Sequence, residues 1–277
     1  VLLKLETLQR VGAFKFRGAC NAVFALDDAV AARGVITHSS GNHGAALAAA
    51  AALRGIPAHV VVPENANAQK LRNIIAAGAM VHRCAPNLAA REALCTALAR
   101  ETGARLVHPY TEPLVIAGQG TAALELLDQV NGIDAFIAPV GGGGLMSGCA
   151  IALRARSPHT TLIGAEPVGA DDAQRSLAAG HVVPVDRPES ICDGLLATLG
   201  EINHRVLAQH RVEVLTVDDG AVRAAMRRLW ERLKLVVEPS SAITYAVLQA
   251  QRERFRGQRV GVLLSGGNVD LDAIPAF

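Results

Sequence analysis

The chain is short of aromatic side chains. Its 277 residues hold six phenylalanines, two tyrosines and one tryptophan, although half of them are hydrophobic. Alanine, valine and leucine supply the apolar bulk, which favours helices packed on sheets over an all-β sandwich. No C-x-x-C pair occurs among Cys20, Cys84, Cys95, Cys149 and Cys192, so neither a disulfide framework nor a zinc ribbon is supported, and the reducing cytoplasm is the expected compartment. No basic run suggests nucleic acid or an anionic membrane surface, and the formal charge is only +2. The longest apolar run, Ala45 to Leu53, is too short for a membrane span. No signal-peptide pattern begins at Val1. The chain opens on the strand-like run "VLLKLE", as expected where a leading segment is absent.

From Gly34 onward, short β-branched runs alternate with Ala/Leu-rich helical windows. "VITHSS", "AHVVVP", "MVHRC" and "ARLVHP" are strand signals, and the helices between them end near Gly55, Gly78 and Gly103. A second series follows "HPYTEP": a helix over about 120–130, then the strands "AFIAPV", "TLIGAEP", "VEVLTV" and "RVGVLLSGGN", separated by helices. The alternation predicts two open, twisted parallel-sheet α/β domains, with ligand at the carboxyl ends of strands between them. The expected division is 1–33 with 112–277 as the large domain and 34–111 as the small one.

"PVGGGGLMSG" places four glycines between a buried strand and a helix, where backbone N–H groups can converge on an anion. No lysine follows in Walker-A spacing, so a cofactor monophosphate fits better than a nucleoside triphosphate. "GQGTAA" matches a dinucleotide fingerprint, but it follows a proline-rich turn, and the next strand ends without an acidic residue. A helix start packed closely on a neighbour explains its glycines better than a dehydrogenase does. "SSGNHGAALA" would present two hydroxyls, an amide and an imidazole at a strand end. No G-x-S-x-G elbow supports a hydrolase. "AEPVGADD" sets Glu166 and Asp172 six residues apart, hard oxygen ligands suited to Mg²⁺ or Ca²⁺, or else a solvated acidic turn. The nine histidines are spread singly, without metal-ligand spacing. In "GAFKFRGA", strand-like alternation would put Lys15 opposite Phe14 and Phe16, on a solvated face or facing a cofactor.

These stretches, with "KLETLQRVGAFKFRGA", "HPYTEPLVIAGQGTAALE", "VVEPSSA" and "LSGGNVDL", occur in this order in one family. The chain resembles the fold-type II pyridoxal-phosphate enzymes (tryptophan synthase β-like), and within them the serine racemase and serine/threonine dehydratase group. The resemblance implies a cofactor in the cleft between the two domains. Lys15 would be the Schiff-base lysine and the α-proton base, and Ser40 the acid/base facing it across the substrate. Phe14, Asn42 and Ser265 would contact the cofactor ring, while Gly141, Gly142, Gly143, Gly144 and Leu145 hold its phosphate. Ser39, Ser40, Gly41, Asn42 and His43 would form the substrate-carboxylate loop. Glu166, the Ala170 carbonyl and Asp172 would bind a divalent cation.

The implied reaction is dehydration and deamination of serine, threonine or a 3-hydroxy analogue such as 3-hydroxyaspartate to a keto acid and ammonia, with racemisation as a side activity. Two positions depart from the pattern. Tyr110 stands where the animal racemases have asparagine, and Ala197 replaces a serine near the site; both favour dehydration over racemisation. A true amino-acid racemase and a non-catalytic amino-acid-binding module are the alternatives. The expected partner is a small amino acid, with no nucleic acid and no membrane, in a homodimer.

Overall fold

The computed structural model describes residues 1–271; the tail 272–277 of the expected large domain lies outside the described residues. In chain order the strands are β1 (Leu2–Leu5), β2 (Val35–His38), β3 (Ala58–Pro63), β4 (Met80–Cys84), β5 (Arg105–Leu106), β6 (Ala135–Pro139), β7 (Thr161–Pro167), β8 (Glu213–Val217) and β9 (Val260–Leu264). They form two sheets, ordered β1-β9-β6-β7-β8 and β4-β3-β2-β5. Every strand pairing within the sheets is parallel, as the strand–helix alternation predicts. The chain divides into two compact units, residues 1–14 with 119–277 and residues 15–118.

The five-stranded unit buries apolar runs on both faces of its sheet, the pattern required where helices cover a parallel sheet twice. Ile137, Ile163 and Val262 join Val222, Met226 and Ile243 in one core, and Phe136, Leu162 and Leu263 join Met146, Leu153 and Leu207 in the other. In the unit 15–118, Ile36 and Val61 pack with Cys84, Cys95 and Ala104. Helix Lys15–Phe24 packs on helix Asn42–Arg54, so the first helix belongs by its packing to the four-stranded unit. The five cysteines are free thiols. No helix among the described residues is long and apolar enough to cross a membrane.

Two local expectations are overturned. Lys15 is the first residue of helix Lys15–Phe24, not a strand position; extended pairing stops at Ala13, which bridges Gly266. The "GQGTAA" glycines do not start a helix but lie inside Pro113–Gln129, which opens on Pro113, a residue whose missing N–H costs nothing in a first turn. Their close packing is real. A Cβ at Gly118 would meet Arg17 O and Gly18 Cα at 2.6 Å, and one at Gly120 would meet Gly148 O at 2.6 Å. Backbone contact of this kind accounts for the glycines without a dinucleotide.

Candidate active site

In the five-stranded unit, β6 delivers Val140 to a glycine turn that opens helix Gly144–Arg156, and the chain from β6 through Ala150 is buried. Gly143 has φ +88°, a conformation side chains disfavour, and a Cβ there would strike Leu199 Cδ1 at 2.6 Å and Asn203 Cβ at 2.8 Å. At Gly141 a Cβ would lie 2.9 Å from Leu195 Cα. Gly142 O accepts from the Asn203 side chain and from Gly200 N, so the turn is held from behind. The first-turn N–H groups of a 13-residue helix remain for an outside acceptor, and the buried Ser147 Oγ has no hydrogen-bond partner. The cradle fits a phosphate monoester.

Ser265 follows β9 and is 2% exposed. Its Oγ lies 3.5 Å from Ser240 O, a long contact that leaves the hydroxyl available to a ring nitrogen. Its carbonyl accepts the Phe14 N–H at 2.9 Å, and Phe14 packs on the Phe136 core. The residue before Lys15 is therefore fixed by both backbone and side chain.

Glu166, Ala170 and Asp172 are all essentially buried. Both Glu166 oxygens accept backbone N–H groups, from Ala173 at 2.8 Å and Gln174 at 3.0 Å, and Asp172 Oδ2 accepts from Leu199 at 2.6 Å. Burial raises the Glu166 carboxyl to about 8 against those hydrogen bonds, and burial likewise raises Asp172. No cluster of three or more His, Cys, Asp or Glu side chains forms a metal site among the described residues. The donor set is two acidic side chains and one carbonyl, hard oxygens that suit a divalent cation completed by water.

In the unit 15–118, Lys15 Nζ donates to Pro109 O at 2.9 Å. β2 ends just before Ser39, whose N–H donates to Val61 O at 3.1 Å and whose Oγ accepts from Gly41 N at 3.3 Å. Ser39, Ser40, Gly41 and Asn42 are half-buried at the start of helix Asn42–Arg54. His43 points inward, 2% exposed, with Nε2 donating to Val107 O at 3.2 Å and a buried Nδ1 that has no partner. Its side chain is thus committed to the core, and only its backbone can serve the loop. Burial, and then the nearby Lys15 charge, hold His43 well below the ordinary imidazole value.

Sequence reasoning missed a ring cluster beside this lysine. His108 packs edge-on against His38 (centroids 5.6 Å) and Tyr110 (4.6 Å). His108 Nδ1 accepts from Tyr110 N at 3.4 Å and Thr111 N at 3.2 Å, so its proton sits on Nε2. Burial, with the His38 and Lys15 charges, lowers His108 to about 4. Single histidines scattered along a sequence carry no signal of such a cluster, and only Tyr110 was marked, as a departure.

Residues 1–266 match the pyridoxal-phosphate dependent enzyme family. The chain is 47% identical over 275 residues to the beta-hydroxyaspartate dehydratase of Paracoccus denitrificans, covering 99% of this chain and 87% of the relative. It is 45% identical over 275 residues to the serine racemase of Dictyostelium discoideum, covering 98% and 85%. The solved structure of maize serine racemase superposes with TM-score 0.95 at 45% identity, covering 98% of this chain and 84% of that one. The chain belongs to the fold-type II pyridoxal-phosphate-dependent enzymes. The dehydrogenase reading of "GQGTAA" falls with that assignment.

Proposed function

We propose that the chain catalyses β-elimination of water from a 3-hydroxy amino acid, after which the released enamine tautomerises to an imine that water hydrolyses to a 2-keto acid and ammonia, with racemisation as a side activity. The observation that carries this reading is Lys15, whose amine is held at Pro109 O at 2.9 Å near two histidines depressed by burial. An amine fixed in place and flanked by neutral rings is suited to take a proton from a bound substrate. Pyridoxal phosphate, when bound, supplies the electron sink for the pair that the departing α-proton leaves behind.

Lys15 removes the α-proton and passes it on as the β-hydroxyl leaves. Ser40 is the acid/base for the opposite face; a proton returned from it gives the enantiomer instead of the elimination product. Ser39, Ser40, Gly41, Asn42 and His43 form the loop that holds the substrate α-carboxylate, with the first-turn N–H groups of Asn42 and His43 at a helix N-terminus as its donors. Gly141, Gly142, Gly143, Gly144 and Leu145 bind the cofactor phosphate, Asn42 and Phe14 contact its ring, and Ser265 meets the ring nitrogen with a hydroxyl. Glu166, the Ala170 carbonyl and Asp172 would hold Mg²⁺ or Ca²⁺, supplying the positive charge that two buried carboxyls lack. The relatives that are a hydroxyaspartate dehydratase and serine racemases support this pair of outcomes.

The working unit is read as a homodimer in a reducing cytoplasm, where five free thiols persist; light scattering gives its mass. The deciding experiment incubates the holoenzyme with L- and D-serine, L-threonine and 3-hydroxyaspartate, following keto acid and enantiomer together. Keto acid in excess of enantiomer is expected. Enantiomer alone would make the chain a racemase.

A further inference from the structure

We propose that Asn268 is a positioning residue for Lys15: it latches Val11 in a left-handed conformation and so fixes the chain that leads into the lysine. The inference rests on the reading of Lys15 as the reactive amine. The stretch "LSGGNVDL" supplies Ser265 to the site, and its asparagine has a separate use. Beyond the end of β9, residues 265–268 run antiparallel to residues 11–14. Two backbone hydrogen bonds, Phe14 N to Ser265 O and Gly267 N to Gly12 O, both 2.9 Å, pair Ala13 with Gly266. One step further out a side chain takes over, and Asn268 Nδ2 donates to Val11 O at 2.7 Å.

Val11 needs such a latch. Its φ of +55° is an outlier for a β-branched side chain, and a conformation of this kind persists only where the surroundings impose it. The next residue makes room for the latch: a Cβ on Gly12 would stand 2.7 Å from Asn268 Oδ1. Gly12 N also donates to Gln9 O at 2.8 Å, closing the turn on its other side. The Ser265 loop is the fixed partner, because β9 lies between β1 and β6 and Glu238 N donates to Gly266 O at 3.0 Å. Without the asparagine amide, Val11 returns to negative φ, Gly12 and Ala13 turn with it, and the Phe14 N–H leaves Ser265 O. Phe14 is the residue before helix Lys15–Phe24, so the point from which the lysine side chain departs moves too. A displacement of about 1 Å at a reacting group costs up to about 100-fold in rate.

The test compares the wild-type holoenzyme, Asn268→Ala and the double variant Val11→Gly with Asn268→Ala on L-serine, L-threonine and 3-hydroxyaspartate. Asn268→Ala should lower kcat about 10- to 100-fold while KM changes less than about threefold. Glycine adopts positive φ without a side-chain penalty, so the double variant should return to within about threefold of the wild-type kcat. An asparagine that only stabilised the fold would lower the melting temperature without this rescue. An unchanged kcat, a loss carried by KM, or a loss that Val11→Gly leaves in place overturns the proposal. Amide hydrogen exchange reads the same latch without turnover. The Phe14 and Gly267 amides should exchange slowly in the wild type, at least about 10-fold faster in Asn268→Ala, and slowly again in the double variant. Rapid exchange of both amides in the wild type overturns the proposal even if no variant folds. A wild type that turns over none of the three substrates overturns the elimination reading instead, and exchange then decides the latch by itself.

Discussion

Lys15 Nζ and Pro109 O are 2.9 Å apart, a hydrogen bond between the opening residue of one helix and the turn that carries His108 and Tyr110. The contact fixes the amine on a backbone carbonyl oxygen, a position compatible with the proton transfer proposed for Lys15. Replacing Lys15 by alanine should abolish the visible absorbance of the attached cofactor and lower turnover by at least about 100-fold, the lower end of general-base contributions. Absorbance spectra of the purified variant decide it; a variant that kept the band would remove Lys15 from its role.

Ser40→Ala should separate the two faces of the substrate. Production of the enantiomer and turnover of D-serine should disappear, while L-serine dehydration remains measurable. Chiral chromatography alongside a keto-acid assay reads both; equal loss of the two would show that Ser40 has no face-specific part.

Gly143→Ala puts a Cβ 2.6 Å from Leu199 Cδ1 on a backbone with φ +88°. The expected cost is about 1–3 kcal/mol of stability from strain alone, with weakened retention of the cofactor phosphate. Thermal melts and cofactor titration measure the two effects, and an unchanged melt would mean that the turn relaxes freely.

His108 should contribute a pH dependence of stability. Its folded value, lowered to about 4, lies below the ordinary 6.5, so the unfolded chain binds the proton more readily. The contribution is present above about 6.5 and is lost as pH falls toward 4, with a slope of at most about 1.4 kcal/mol per pH unit. His108→Gln should flatten the denaturation-derived stability between those two values. An unchanged slope would show that the imidazole titrates normally.

Removal of divalent cations with EDTA should lower both activity and melting temperature, and Mg²⁺ or Ca²⁺ should restore them. Glu166→Gln should abolish the response. Indifference of the wild-type protein to EDTA would count against a cation at Glu166, Ala170 and Asp172.

The architecture was legible in the sequence because its signals are local. The runs "AHVVVP" and "AFIAPV" emerge as β3 and β6 almost residue for residue, since short β-branched stretches between capped helices have few other ways to bury themselves. Gly55 and Gly103 end their helices in the left-handed conformation, as read. The glycine turn at 141–144 was legible for the same reason: a strand, four glycines and a helix leave the backbone little choice.

The lysine was harder to place. Alternation in "AFKF" suggested a strand, but the chain leaves extended pairing at Ala13 and turns helical at Lys15, because Phe14 is pinned by Ser265 and the core of the five-stranded unit. That pinning joins residues from opposite ends of the chain, and no window of sequence contains it.

By itself, the sequence determined the two parallel sheets and the glycine turn between β6 and helix Gly144–Arg156, since each follows from the local order of residue types; the choice of Lys15 as the reactive amine rests on the family resemblance. Only the tertiary structure decided that His43 faces the core and that His38, His108 and Tyr110 gather next to Lys15. Burial and charge proximity depend on which distant segments meet, and these set the histidines' proton affinities.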